Sequence, residues 1–443
     1  MTTVSLASLP ELGAPSVWPA SAVSGPAGDL LVGGVSLAGL AGQYGTPLYV
    51  LDETEVRTRA RAWLRAVPGA EVVYAAKAFL SRAVADWVRE EGLGLDVCSA
   101  GELELAMSRG FPAARIVMHG NAKSPEDLRA ALRHGVGRIV IDSDCEIARL
   151  AAHVPGPDPQ RVMVRVLPGI EAGAHHKIRT GTEGQKFGLS LTSGDAEDAV
   201  ARVLGQPRLE LVGLHCHLGS QIASTEPYAR AAHRMVGFLA RIRERHGVTL
   251  PELDLGGGFA VPYLPGDPAP APAAFGRRIR DELARACAEF DFPEPRLTLE
   301  PGRSVIAPAG VALYRVLSVK RSGREVFVAV DGGMSDNPRP SLYGARYTAR
   351  MVGRSSAAPM RTATVVGRHC EAGDVLAESV ELPEDIRPGD LLAVPASGAY
   401  HLSMASGYNL VGRPPLVAVA GGQERLLLRR ETFEDCMRRE VTP

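Results

Sequence analysis

Cysteine is scarce in this chain, and the cysteines that it has are scattered. No two of them form a CxxC pair, a spacing that argues against both a disulfide framework and a zinc knuckle. The six are Cys98, Cys145, Cys216, Cys287, Cys370 and Cys436.

A charge excess and a long apolar run are also missing. The 443 residues carry a formal net charge of −1, which gives no support to a nucleic-acid or anionic-membrane partner. No apolar stretch approaches the roughly 20 residues that cross a bilayer, and the N-terminus lacks the basic start and apolar core of a signal peptide. We therefore expect a soluble, cytoplasmic protein.

Two sequence patterns, one typical of strands and one of helices, alternate from about residue 46. Short β-branched runs precede longer segments with apolar residues three and four apart. The strand candidates are VVYAAK, LGLDVCS, RIVMHG, RIVID, RVMVRV, LVGLHCH, ELDLGGG and RLTLEPG. Eight strands with helical crossovers predict a closed (β/α)8 barrel. The rival, a doubly wound open sheet, usually has fewer strands and a Gly-rich turn after its first strand, which this chain lacks.

The helical spacing of apolar residues is no longer found after Arg303. Gly/Pro turns there separate GVALYRVLSVKR, REVFVAVDGG, RTATVVGRHCE, GDLLAVPAS and PPLVAVAGGQERLLLRRE. We predict an α/β barrel domain over residues 46–305 and an all-β domain over 306–443. Residues 1–45 pack with the β-domain in this prediction, and DLLVGGVSL adds a strand to it.

Polar residues gather where the barrel strands end, the place where barrels carry their functional groups. These positions hold Lys77, Asp96, His119–Asn121, Asp142, Arg165 and the runs HCHLGS, GGG and EPGR. The shared position of these residues at the strand ends indicates one functional site at this end of the barrel.

Gly256, Gly257 and Gly258 directly follow the seventh strand. Such a loop is either a tight turn or a cradle whose backbone N–H groups bind phosphate. Barrels often bind phosphate after strands seven and eight, so the position favours phosphate. Arg303 can add a charge-assisted contact.

His215 and His217 lie two apart on a strand and raise the alternative of a metal-dependent hydrolase. His119 and Asp142 can be enlisted as further ligands. The competing interpretation is a hydrogen-bonded core histidine, which suits at least one of the two.

Lys77 lies in the apolar run VVYAAKAF, where a cation must reach solvent, pair with a carboxylate or lose its proton. Alone, this run leaves a rim ion pair and a reactive amine equally favoured. Beside a phosphate cradle, Glu300 and histidines, the lysine indicates pyridoxal phosphate (PLP), which needs an imine-forming amine and a partner for its ring nitrogen.

Ten motifs then occur in one order: YAAKAF, GLDVCSAGELELA, HGNAKS, QKFGLS, GLHCHLGSQI, DLGGGF, EPGRS, DGGMSDNPRPSLYGARY, CEAGD and GAYHLSMASGYN. From about Val17 to Arg430 the chain resembles the diaminopimelate decarboxylase family, among the alanine-racemase-like, fold-type III PLP barrels. The resemblance implies decarboxylation of meso-2,6-diaminopimelate to L-lysine, the last step of lysine biosynthesis.

The resemblance also implies roles for single residues on the cofactor side. Lys77 is similar to the lysine that holds the cofactor, and His217 to the imidazole stacked on its ring. Glu300 resembles the carboxylate that binds the ring nitrogen. The phosphate-side contacts it implies are Ser220, Gly258, Gly302 and Arg303.

On the substrate side, Arg303, Arg339 and Tyr343 resemble the family's grip on the retained carboxylate. Glu371 resembles the residue facing the distant ammonium group, and Tyr408 one shared by cofactor and substrate. Cys370 resembles the proton donor, which the family takes from a partner subunit, so a homodimer is implied.

Three positions depart from the family pattern. Lys177 and Arg179 precede KFG where an aromatic–Ile–Ser/Thr–Thr–Gly run is usual, Ala372 replaces a usual serine, and Gly407 replaces a bulkier residue. A paralogue acting on a related or carrier-bound amino acid in secondary metabolism is therefore the alternative function.

Two other readings use the same barrel. A racemase would need a tyrosine base from the β-domain in place of Cys370 and Glu371. A PLP-carrier protein would be a bare barrel, and the β-domain argues against it.

Overall fold

The computed structural model of the chain describes residues 16–172, 181 and 184–441. The chain divides into two compact units. The barrel unit comprises Arg57–Ala260 and Pro270–Val305, and the β unit comprises Met1–Val56, Val261–Ala269 and Ile306–Pro443. The domain boundaries after residues 45 and 305 stay a prediction.

Eight parallel strands form the barrel, and we number them first to eighth in chain order. They are Glu71–Ala75, Gly94–Val97, Ile116–Met118, Arg138–Ile141, Gln160–Leu167, Leu209–His215, Glu252–Asp254 and Arg296–Leu299. The eighth strand pairs with the first, Thr298 opposite Glu71, so the sheet closes. All eight predicted strands and the closed barrel are confirmed, and the open sheet is excluded. A short strand, Leu189–Ser190, adds to the fifth.

A helix follows each strand, as the period of the apolar residues predicts. In order, these helices are Arg82–Glu90, Ala100–Ser108, Pro125–His134, Asp144–His153, Asp195–Leu204, Glu226–His246, Pro272–Glu289 and the short Arg303–Ile306; Glu53–Ala66 precedes the first strand. In the third, Ser124 and Asp127 form a capping box and Gly135 ends the helix in the left-handed region.

The amino-terminal ends of the strands carry a set of ion pairs. Arg138 and Glu252 are both buried and pair with each other, while Arg161 and Arg296 also reach Glu252. Glu71 lies 2.9 Å from Arg138. The charged side chains at this end of the barrel therefore neutralise one another.

The β unit contains one nine-stranded sheet. Its strands are Leu48–Asp52, Gly310–Ser322, Glu325–Val330, Arg350–Val352, Met360–Val366, Val375–Pro383, Leu391–Val394, Leu416–Ala420 and Gln423–Leu428. Leu48–Asp52 lies between Gly310–Ser322 and Leu416–Ala420. Two short helices, Arg339–Tyr343 and Phe433–Met437, lie in the same unit.

DLLVGGVSL forms strands within the β unit, but these strands lie outside the nine-stranded sheet. Val23–Ser24, Leu30–Val32 and Val35–Ser36 form a separate three-stranded sheet, followed by the helix Leu37–Tyr44. Gly33 and Gly34 turn the chain back at once with positive φ, so the run pairs with itself. Its apolar side chains still pack on the large sheet, where Leu30 and Val32 join Val50 and Val311 in one buried cluster.

Within the described ranges, no helix has the length and apolar character needed to cross a membrane.

Candidate active site

Lys77 follows the first barrel strand and pairs with a buried carboxylate. Its Nζ lies 2.6 Å from Oδ2 of Asp96, which is in the second strand and has no solvent-exposed side-chain surface. The lysine side chain is 38% exposed, so the amine reaches the open end of the barrel while its stem is covered. Of the three fates open to this lysine, the structure shows pairing at the rim.

The other oxygen of Asp96 lies near a thiol. Cys98 Sγ is 3.7 Å from Asp96 Oδ1, and burial raises the pKa of this thiol far above its usual range. Cys98 is therefore a neutral neighbour of the Lys77–Asp96 pair.

Glu300 follows the eighth strand and lies between two imidazoles. Its Oε1 is 2.7 Å from His119 Nε2, and its Oε2 is 3.5 Å from His215 Nε2. All three side chains are buried. The pKa of Glu300 lies well below its usual range: burial acts to raise it, but the two imidazoles together outweigh burial. Glu300 is thus an ionised carboxylate inside the barrel.

Burial has the opposite consequence for the neighbours of Glu300. It lowers the pKa of His215 to about 4, and it raises the pKa of Asp254 well above its usual range, with the charge of Glu300 as the next cause. Asp254 Oδ1 also accepts a hydrogen bond from the Gly256 N–H at 2.7 Å. The site therefore keeps one negative charge where two carboxyl groups meet.

The residues enlisted for a metal alternative do not come together as predicted. The structure groups His119 and His215 with Asp254 and Glu300, whose ligand atoms lie within 4.8 Å of one another. Asp142 instead lies 3.4 Å from Arg165 and accepts from the Gly188 N–H. This buried group has the composition of a metal site. The residues around it must therefore distinguish a metal site from a cofactor site.

The glycine loop supplies those surroundings. The Gly257 N–H donates to His217 Nδ1 at 3.2 Å, which fixes the half-buried imidazole beside the loop. Desolvation lowers the pKa of His217 well below its usual range, with the charge of Lys77 as the next cause. His217 is therefore a neutral ring at the end of the barrel that carries Lys77.

Close backbone approach requires glycine in this loop. Gly258 has φ of +97°, and a Cβ there would lie 2.2 Å from the Gly219 carbonyl oxygen. Next to Gly219, the Ser220 hydroxyl accepts a hydrogen bond from Arg303 at 2.9 Å. Gly302, which precedes Arg303, packs against Ala75 of the first strand. The predicted phosphate-side residues thus lie together at one end of the barrel.

Among the β-unit residues that the resemblance assigns to substrate binding, Arg339 is the most deeply buried. It is 5% exposed, it donates to the Tyr347 hydroxyl, and its guanidinium lies 4.5 Å from the centre of the Tyr263 ring. Among the residues that the structure describes, no carboxylate lies within 4.0 Å of it. The neighbouring phenols raise the pKa of Arg339 above its usual value in spite of burial. Arg339 is thus a buried cation whose guanidinium has the donors for charge-assisted hydrogen bonds to an anion. Tyr343, at the end of the same short helix, is half-buried.

Cys370, Glu371 and Tyr408 form a second, exposed set in the β unit. The Tyr408 hydroxyl donates to Glu371, and this bond raises the pKa of the tyrosine. Asp374 anchors the loop by accepting from the Met334 and His369 N–H groups at 2.6 and 2.8 Å. The exposed thiol and carboxylate are therefore presented by an anchored loop.

The departure at Lys177 and Arg179 lies outside the described residues. Ala372 and Gly407 are both exposed, and a Cβ at Gly407 would meet nothing within 4 Å.

Sequence reasoning missed four residues that support the site. Asp96 was noted at the rim but not chosen as the partner of Lys77, and Asp254 was not singled out in ELDLGGG. Tyr347 and His401, which lie behind Arg339, stand in motifs that were read for other residues. Asp96 and Asp254 could have been singled out from the sequence, because each is an acidic residue inside an otherwise apolar strand.

Comparisons with known proteins agree with this geometry. The family described as pyridoxal-dependent decarboxylase, pyridoxal binding domain, matches residues 53–307. A barrel with a rim lysine, a buried carboxylate and a glycine loop is thereby placed among the pyridoxal-dependent decarboxylases.

Closer relatives narrow this class. The chain is 59% identical to a diaminopimelate decarboxylase of Actinosynnema pretiosum subsp. auranticum, over 94% of this chain and 93% of the relative. It is 46% identical to the diaminopimelate decarboxylase of Mycobacterium tuberculosis, over 97% and 98%. The chain belongs to the diaminopimelate decarboxylase family.

Solved structures support the same family. The M. jannaschii diaminopimelate decarboxylase, in complex with L-lysine, matches with a TM-score of 0.88 at 30% identity and covers 96% of this chain and 98% of its own. A lysine/ornithine decarboxylase of Vibrio vulnificus, in complex with putrescine, matches with a TM-score of 0.74 at 26% identity, over 86% and 97%.

Proposed function

We propose that this protein decarboxylates meso-2,6-diaminopimelate to L-lysine and CO2 with pyridoxal phosphate as its cofactor. The observation that carries the proposal is the assembly of Lys77, Glu300 and the Gly256–Gly258 loop at one end of the barrel. The relatives whose sequences match this chain along nearly its whole length are diaminopimelate decarboxylases.

The barrel residues fit the cofactor chemically. An ionised, buried Glu300 suits a protonated ring nitrogen, and the neutral His217 ring suits one face of a flat aromatic group. Gly258, Ser220, Gly302 and Arg303 supply small residues, a hydroxyl and a cation for the phosphate. We assign the ring-nitrogen contact to Glu300 in preference to a metal ion because the matching family binds pyridoxal.

Bound pyridoxal phosphate supplies an electron sink for the electron pair left behind when CO2 departs. The protein sets up this chemistry with its own charges. Lys77 would hold the group through its Nζ, and Asp96 would keep that amine oriented. Glu300 would favour a protonated ring nitrogen, which would strengthen electron withdrawal.

The β unit recognises the substrate in this proposal. Arg339, with Tyr343, binds the carboxylate that is retained. Glu371 accepts the distant ammonium group, while Tyr408, bonded to Glu371, orients it. A substrate with an amino-acid group at each end needs both a cationic and an anionic anchor, and the chain offers both.

Cys370 is the proposed proton donor. Its Sγ delivers a proton to the carbon that has lost CO2, and an exposed thiol can be re-protonated from solvent. We propose that the working enzyme is a homodimer in which Cys370 and Glu371 of the partner subunit complete each site, as the family resemblance implies.

Lysine release from meso-diaminopimelate by the cofactor-loaded protein tests the reaction, with L-glutamate, L-ornithine and L-arginine as comparison substrates. The Lys77→Ala variant should fold but lose the yellow absorbance of the bound cofactor, and its turnover should fall about a thousandfold or more. Lys320→Ala, which alters a lysine of the β unit, is the matched control and should keep both.

A yellow wild-type protein that releases no lysine would move the substrate to a related amino acid. Full turnover by Lys77→Ala would contradict the role of the lysine.

A further inference from the structure

A chain of hydrogen bonds runs behind Arg339 through the interior of the β unit. Tyr347 Oη lies 2.8 Å from His401 Nε2, and His401 Nδ1 lies 3.1 Å from Tyr49 Oη. Tyr49 in turn bonds to Oδ2 of Asp336 at 2.9 Å. Every side chain in this path is buried.

The donors fix the direction of the chain. Arg339 can only donate, so Tyr347 Oη accepts from it and donates its own O–H to His401 Nε2. His401 is then the tautomer with hydrogen on Nδ1, which donates to Tyr49 Oη. Tyr49 donates to Asp336, so the chain runs from a cation to a carboxylate with each donor matched to an acceptor.

Each end of the chain is a buried charge that lacks a direct counter-ion among the described residues. Asp336 is 2% exposed and accepts from the Tyr314 hydroxyl at 2.6 Å and from the Gly333 N–H at 2.9 Å. Burial raises its pKa to about 6, so it is predominantly ionised at neutral pH. Each buried charge costs free energy that the oriented chain offsets.

We infer that Tyr347, His401, Tyr49 and Asp336 are positioning residues that aim the Arg339 guanidinium at the substrate carboxylate. This inference rests on the proposed function, in which Arg339 binds the carboxylate that is retained. Tyr347 occupies one N–H group of Arg339 and leaves the others to the ligand. Asp336 orients the Tyr49 hydroxyl, which orients the His401 ring, so that Tyr347 donates to His401 and accepts from Arg339.

Tyr49→Phe interrupts the chain with the loss of one oxygen atom. In the cofactor-loaded enzyme we expect the Kd for L-lysine, measured by titration of the cofactor absorbance, to rise about tenfold. Cadaverine is the same diamine without the carboxylate, and its Kd should change less than about twofold. The KM for meso-diaminopimelate should rise more than kcat falls.

Tyr44→Phe is the matched control, because it removes the hydroxyl of a half-buried tyrosine that packs on the apolar cluster of the β unit and takes no part in the path to Arg339. Its Kd for L-lysine should stay within about twofold of the wild-type value. If Tyr49→Phe does not fold, Asp336→Asn removes the charge at the end of the path and should likewise weaken binding of lysine but not of cadaverine.

Unchanged lysine binding in Tyr49→Phe, or an equal loss for lysine and cadaverine, would overturn the inference. Failure of the wild-type protein to form lysine would count against the proposed reaction alone, since the two Kd values are measured without turnover.

Discussion

Single residues in this protein hold charges in places where an apolar interior opposes them. Glu300 stays ionised because two imidazoles flank it, whereas Asp254 beside it has a raised pKa. His215 has its pKa lowered to about 4, mainly by desolvation. The barrel therefore combines a neutral histidine and an ionised carboxylate within 3.5 Å.

This arrangement predicts a loss of stability in acid. Between pH 6.5 and 4 the unfolded chain binds a proton at His215 that the folded protein does not, so stability decreases as the pH is lowered through that window. From pH 7.5 to 5.0 the loss is about 2 kcal/mol. We expect the thermal midpoint of the cofactor-free wild type to fall about 2 °C further over this interval than that of His215→Asn.

His233→Asn provides the comparison, since His233 is 31% exposed and lies 3.2 Å from Glu289 on the barrel helices. Its pH response should match that of the wild type. An identical fall in His215→Asn and wild type would contradict the assignment.

The sequence showed that a charged Lys77 side chain is energetically unfavourable at its position, because its neighbours are apolar. It did not identify Asp96 as its partner, because the choice among rim carboxylates depends on which strands are adjacent and in which register. The exposure of Cys370 was equally out of reach of a single sequence, since it depends on how the β unit folds around its loop.

At the level of elements, the strand ends are the most informative features of this protein. Every predicted barrel strand was found because strand length, β-branched residues and glycine punctuation are local properties. DLLVGGVSL was predicted as one strand of the β-domain, but it forms two, because the turn at Gly33 and Gly34 folds the run back on itself. The strand Val375–Pro383 escaped detection because its polar residues hide the apolar alternation.

The Gly256–Gly258 loop gives a prediction at this scale. Gly258→Ala should raise the Kd for pyridoxal phosphate at least about tenfold, because its Cβ would collide with the Gly219 carbonyl and displace the neighbouring Ser220. The measurement is a titration of the cofactor-free protein followed by absorbance.

Gly247→Ala is a suitable control. Gly247 also has positive φ, +69°, but a Cβ there meets nothing within 4 Å. It should cost about 1 kcal/mol of stability and leave cofactor affinity unchanged. Equal cofactor affinity in the two variants would show that the close contact at Gly258 is unimportant.

At the scale of the whole molecule, the proposed residues fall in two units that differ in what they supply. The barrel unit holds Lys77 and Glu300, and the β unit holds Cys370 and Glu371. If two copies of the chain complete each other's sites, these sets can be inactivated independently.

Mixing inactive variants tests this arrangement. Lys77→Ala and Cys370→Ala should each have little activity alone. After unfolding and refolding together in equal amounts, random pairing should restore about a quarter of the wild-type activity, because half of the dimers are mixed and each has one intact site. A mixture no more active than its components would indicate that each chain supplies its own cysteine.

The position of Leu48–Asp52 in the large sheet has a consequence for biosynthesis. Its two neighbours, Gly310–Ser322 and Leu416–Ala420, are translated long after it. At about 5–20 residues per second, this strand waits on the order of tens of seconds for its second neighbour. All eight barrel strands are made during that delay, so an early edge of the β unit must be kept from wrong pairing until the chain is almost complete.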